Sequence, residues 1–223
     1  MLQSNKQFTT KSCSNAVGKL SKNIIPMFPL NTVVLPGEDL ALFIFEPRYK
    51  QLLKEVQLTN IVFGIPFVKY GRTTKYGTFV MLKRILNESE NGEMNIIVEG
   101  LSVFKIEEYL NECPDKLYPG ATVREDFPLF NNVSSSLLQK TTDNFRNYAS
   151  KIFLSDIMYD IDNITFNHSY DIAKRLALSA DQKFALISFP SELQRLQYLN
   201  EFMTLNLEII SREAELKNRF ILN

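Results

Sequence analysis

The sequence predicts an α+β fold in which a β-rich half with one short helix is followed by an α-helical bundle. Three observations carry that expectation. From Ile24 to about Phe127 the chain is rich in Val, Ile, Phe and Tyr and is cut at short intervals by turn residues. Within that stretch one segment, starting at Pro47, switches from strand to helix spacing. After Pro128 the apolar residues recur at helical spacing. The expected organisation is a flexible polar tail over 1–23, a β-rich barrel or folded sheet over 24–128, and a helical subdomain over 129–223 ending in a long helix.

In the β-rich half, Thr32 to Leu35 reads as a short apolar strand stopped by Pro36-Gly37. Leu40 to Phe45 is apolar on both faces, which suits a buried strand. In "FIFEPRYKQLL", Tyr49, Leu52, Leu53 and Val56 fall on one helical face. Pro47 stands at the first helical position, where its missing N–H costs nothing and its fixed φ helps. Glu46 precedes it at the cap, where a negative charge meets the positive end of the helix dipole. Arg48 can pair with Glu46, and Tyr49 is the first side chain to point inward. The carboxylate, guanidinium and phenol thus have structural work to do, and we read them as fold-defining rather than catalytic.

Asn60 to Val68 reads as a strand, and Lys69-Tyr70-Gly71 as the turn that ends it. Asn91-Gly92 is a hairpin signal. Met94, Ile96 and Val98 alternate with outward positions, Gly100 breaks the run, and Phe104 and Ile106 resume it. Tyr118-Pro119-Gly120 marks a turn before a last strand, Ala121 to Phe127. In the helical half, Leu138, Phe145, Ala149 and Ile152 share helical spacing, and His168 to Leu178 reads as a second helix. Ser179 with Gln182, and Ser191 with Gln194, fit the capping box. From Ser191 a long helix carries Leu193, Leu196, Leu199, Met203, Leu207, Ile210 and Ala214 on one stripe.

Composition narrows the function. At 223 residues and 45% hydrophobic, the chain can bury a sizeable core. Lysine plus arginine equals aspartate plus glutamate, at 25 each, so no global field draws the chain to nucleic acid or an anionic membrane. Cys13 and Cys113 form neither a disulfide framework nor a zinc knuckle, and a cytoplasmic location is expected. No apolar run approaches the roughly 20 residues of a membrane span. His168 is the sole histidine and has no cysteine near it in sequence, so a surface or capping role is expected rather than a catalytic dyad. Glu107-Glu108 and the group Asp156, Asp160, Asp162 lack calcium-loop spacing and read as solvated. No catalytic residue, metal site or cofactor is expected.

The segments "PMFPLNTVVLPGEDLALFIFEPRYKQLL", "YGTFVMLKRIL" and "NIIVEGLSVFKIEEYL" resemble the LON N-terminal, substrate-binding domain family. Pro29, Pro36, Gly37, Glu46, Pro47, Arg48, Tyr49, Glu99 and Gly100 carry the motif. The likeness runs over roughly residues 24 to 215. Leu35, Phe43 and Val103 depart from the family pattern, and Val103 puts a charge-based contact there in doubt. The resemblance implies a PUA-like pseudo-barrel followed by helices, and a peptidase S16-like, proteolysis-related context. No G-x-x-x-x-G-K-[ST] phosphate loop occurs in the sequence, so a stand-alone domain without the ATPase and protease parts is expected.

The expected function is therefore non-catalytic binding of unfolded or extended polypeptide, with a protease or chaperone as a further partner and neither membrane nor nucleic acid. Phe67, Tyr70, Arg72 and Tyr76, around a basic turn, form the candidate peptide-binding surface. RNA binding by a PUA-like module, with bases stacked on the tyrosines, is one alternative. An accessory peptidase-related protein is another.

Overall fold

A computed structural model describes residues 24–124, 135–152 and 164–221. These residues fall into two compact units. The first joins the described residues up to Arg124 with Ser179–Ser188; the second comprises Ser135–Ile152, residues 164–178 and the chain from Phe189 onward.

The first unit is an antiparallel sheet of six strands: β1 (Ile25–Pro26), β2 (Asp39–Ile44), β3 (Phe63–Lys69), β4 (Arg72–Glu88), β5 (Met94–Leu110) and β6 (Gly120–Arg124). Their order is β1-β6-β5-β4-β3, with β2 paired to β5 off this path. The sheet is not closed, so the expected barrel is an open sheet. Two isolated parallel bridges, Met27 with Gly64 and Leu30 with Phe67, are the pairings found between the two ends of the path.

Helix α1 (Pro47–Thr59) follows β2. Pro47 opens it, and its closing residue Asn60 is left-handed at φ 53°, its N–H bonded to the Val56 carbonyl. Its buried face, Tyr49, Leu52, Leu53 and Val56, packs in one cluster with Phe63 and Ile65 of β3, Val80 of β4, and Met94, Ile96 and Val98 of β5. Phe79, next to Val80, belongs instead to a separate cluster with Ile25, Met27, Phe104 and Ala121. Neighbouring residues in different cores are what a period of two requires.

Gly100 explains the Glu99-Gly100 motif. The Gly37 N–H bonds the Gly100 carbonyl and the Gly100 N–H bonds the Glu38 carbonyl, each at 2.9 Å. A Cβ on Gly100 would collide with the Leu35 carbonyl. Gly37 itself sits at φ 73°, which a side chain would resist. The segment Thr32–Leu35, expected as a strand, joins no ladder. Its polar groups are met differently: the Thr78 hydroxyl donates to the Val34 carbonyl at 2.6 Å, and the Leu35 N–H to Glu38 Oε2 at 2.8 Å. Burial of Val33, Val34 and Leu35 holds it in place.

In the second unit α2 spans Ser135–Ile152, α3 Ser169–Ala173 and α5 Glu192–Ile221; α4, Ala180–Ser188, belongs to the sheet unit. The helix expected over 168–178 is shorter than its pattern, because three-residue bonds from Arg175 to Ile172 and from Leu176 to Ala173 tighten and end it. The Ser179 capping box forms, with the Ser179 N–H bonding Gln182 Oε1 at 2.8 Å and the Gln182 N–H bonding Ser179 Oγ at 3.3 Å. At Ser191 the Gln194 N–H bonds Ser191 Oγ at 3.3 Å, and Gln194 Oε1 accepts from the Ser191 hydroxyl at 3.0 Å. The stripe of α5 needs one correction. Leu196, Leu199 and Met203 are buried, but Leu193 is half exposed, and Glu192 and Arg195 are buried instead.

Candidate functional site

The sequence pointed to the β3–β4 turn, and the structure divides its four residues. Tyr70 and Gly71 form a two-residue turn with φ 51° and 72°, the positive pair of a type I′ hairpin. This throws Tyr70 outward, at 91% exposed, beside exposed Arg72. Phe67 is only 4% exposed. Its ring lies 5.1 Å from that of Phe184 on α4, and Tyr76 lies 6.4 Å from the same ring. Phe67 is therefore part of the interior and offers no surface to a partner.

Helix α4 is pinned over these rings by charge. Lys69 Nζ contacts Asp181 Oδ1 at 2.6 Å, and Lys183 pairs with Glu38. The Asp181 bond raises the Lys69 ammonium above its usual value, against a smaller lowering by desolvation.

The Glu46–Arg48–Tyr49 group has the geometry of a helix start. Arg48 Nε donates to Glu46 Oε2 at 2.8 Å, and the guanidinium lies 4.7 Å from the centre of the Tyr49 ring. Tyr49 is buried, its ring 4.0 Å from Phe28. Burial pushes its phenol up, Arg48 opposes this, and Glu46 adds to it. A phenol that resists ionisation and faces an apolar ring is packing, not a proton-transfer group.

Strand β2 overturns the expectation that it is buried on both faces. Leu40, Leu42 and Ile44 pair with Val98, Ile96 and Met94 on the core side. Asp39, Ala41 and Phe43 face the other way, and Phe43 is 54% exposed. Phe45, two residues on, is 55% exposed, and its ring stacks on Phe43 at 5.8 Å between centres. Asn95, opposite Phe43, donates through Nδ2 to Asn87 Oδ1 at 2.8 Å, so an amide lane borders the aromatic pair.

β2 is also an edge. Among the described residues it pairs with β5 alone, and no other backbone bond reaches residues 39–45. The sheet's other margin there, the second half of β4, shifts register twice, between Leu82 and Arg84 and between Ile85 and Asn87. Such bulges blunt an edge against pairing. β2 keeps unbroken register over all six residues. An alternation template could not have found this, because an edge strand and a central strand read alike along the sequence.

Elsewhere the chemistry is structural. In the second unit Glu192 accepts from the Ser169 N–H and hydroxyl and from Arg195 Nε, while Arg195 reaches the Phe189 carbonyl and lies over the Tyr170 ring. Burial pushes the Tyr170 phenol up to about 12 despite the nearby Arg195. His168 occupies the N-cap of α3 without a side-chain cap bond; Asp171, in the first turn, accepts instead from the N–H of Asn167, the residue before the cap, at 3.0 Å. Burial alone would raise the Asp171 carboxyl, but that N–H together with His168 and Lys174 holds it below its usual value. Among the described residues no group of His, Cys, Asp and Glu is arranged to hold a metal, and no helix is long and apolar enough to cross a membrane. Asp156, Asp160 and Asp162 lie outside the described residues.

The model of the ATP-dependent protease La (LON) substrate-binding domain matches residues 24–204. The fold is similar to a Lon N-terminal domain protein from Xanthomonas campestris, with a TM-score of 0.61, 20% identity, and coverage of 79% of this chain and 96% of that one. It is also similar to the N-terminal domain of the Mycobacterium avium complex Lon protease, with a TM-score of 0.65, 15% identity, and coverage of 81% and 98%. At such identities these two likenesses show the fold alone. No curated protein matches the chain.

Proposed function

The chain belongs to the LON substrate-binding domain family, and from that premise we propose that it is a non-catalytic module that binds unfolded or extended polypeptide. One observation carries the reading: a regular strand edge at β2, unpaired among the described residues, lies beside the exposed Phe43–Phe45 pair. An added strand gains main-chain hydrogen bonds from the edge, and its side chains gain apolar contact from the two rings. Tyr70, Arg72 and Tyr76 form another, smaller contact surface on this reading. The open sheet serves as a PUA-like pseudo-barrel, α2, α3 and α5 form the bundle that follows it, and the location is cytoplasmic.

The test is capture of casein, an extended chain, against capture of a folded protein. Casein is retained, and the double variant Phe43→Ser with Phe45→Ser loses it. Equal indifference to both proteins contradicts the proposal.

A second reading, RNA binding, has one observation in its favour. The register sets Tyr76, Lys105 and Arg124 in one row across β4, β5 and β6, with Lys105 Nζ 5.7 Å from the Tyr76 ring centre. A filter-binding titration against salt decides it: retention that falls steeply with salt supports phosphate contacts, and no retention removes the reading.

A further inference from the structure

The ends of β2 differ from its middle in charge, and that difference names a class of polypeptide. Beyond Ile44 the register continues through Met94 to Glu88, where the β4–β5 hairpin turns. Its tip runs Glu88, Ser89, Glu90, Asn91, Gly92, Glu93 and is shaped by a Gly92 N–H bond to the Ser89 carbonyl and by Gly92 at φ 75°. Among the described residues none of the three glutamates makes an ion pair. The cation at the tip is Lys50, whose Nζ donates to the Asn91 carbonyl at 2.9 Å, so one ammonium stands against three carboxylates. Arg84 stands at the Ile97 row, away from the tip.

At the opposite end of β2 a single Lys83 is shared by Asp39, at 2.8 Å, and Glu99, at 3.3 Å. Glu46, next to Phe45, is already paired with Arg48. Both ends of the edge therefore carry surplus negative charge, while its middle presents aromatic rings and amides. Charged rims of this kind select partners and set encounter rates more than they add raw affinity.

We propose that this edge selects extended segments whose apolar residues are flanked by lysine or arginine. The proposal rests on the polypeptide-binding reading above and adds the partner's charge to it. A segment laid along β2 sets its apolar side chains on Phe43 and Phe45. Its basic residues then reach the Glu88–Glu93 tip at one end and the Asp39–Glu99 pair at the other. A segment with acidic flanks meets like charge at both ends.

Two labelled peptides with a shared Val-Phe-Val centre test this, one flanked on both sides by lysine and the other by glutamate. Each is titrated with the full chain by fluorescence anisotropy, at low and at high salt. The lysine peptide binds about tenfold tighter, as several rim charges acting together allow, and the gap narrows as salt screens them. Combined Glu88→Lys, Glu90→Lys and Glu93→Lys substitution erases the preference, whereas Phe43→Ser weakens both peptides alike. Equal binding of the two peptides overturns the charge selection and leaves polypeptide binding standing. Binding of neither peptide, together with no capture of casein, overturns both.

Discussion

Two aromatic regions of the sheet unit invite comparison: the turn region of Phe67, Tyr70 and Tyr76, and the β2 region of Phe43 and Phe45. In the sequence the turn region reads as a surface, since tyrosines alternate with lysine and arginine. The β2 region reads as core, since Leu40 to Phe45 is apolar throughout. In the folded chain the order is largely reversed. Phe67 is covered by Phe184 from α4, a helix more than a hundred residues away in sequence. Phe43 and Phe45 are each more than half exposed, and among the described residues β2 has a strand neighbour on one side only. Local polarity reports what a residue could be next to; the number of neighbours its element has decides what it is next to.

The widest gap between the regions is in stability. Phe67→Ala removes a buried ring and costs about 3–5 kcal/mol in denaturant unfolding. A negligible cost would mean that α4 does not seal the turn region. Breaking the clamp on that helix comes next. Lys183→Ala leaves the partly buried Glu38 without its ammonium and costs about 1.5–3 kcal/mol by the same measurement.

Phe43→Ser, on the exposed side, changes stability by about 0.5 kcal/mol or less, yet lowers polypeptide binding sharply. A large loss of stability there would show β2 to be core after all. The smallest effect belongs to Tyr70→Gly. It relieves a left-handed backbone but loosens the unfolded chain, so the two terms nearly cancel and the midpoint moves little.

Much of the sheet unit was legible because its signals are local. Asn91-Gly92 turns where hairpin chemistry places a turn, and Pro47 opens α1 because its ring suits the first helical position. Both capping serines meet their glutamines within four residues. The illegible parts depend on partners far along the chain. Thr32–Leu35 has strand composition, but the Thr78 hydroxyl and the Glu38 carboxylate take up backbone groups that a ladder would have used. Gly100 is required by the passing Leu35 carbonyl, which its own neighbours do not announce. The burial of Glu192 and Arg195 has no local signal along α5, and the Ser169 and Phe189 groups that meet them make it tolerable. Of the candidate surface, the exposure of Tyr70 followed from its turn, whereas the covering of Phe67 required α4.

Hydrogen exchange read by mass spectrometry, on the full chain with and without an excess of casein, tests the central claim most directly. Strand addition predicts that amides within residues 39–45 slow most on binding, because their outward N–H groups gain partners, while those around Tyr70 slow less. Unchanged exchange in β2 alongside new protection at residues 69–76 would contradict it and return the binding surface to the turn.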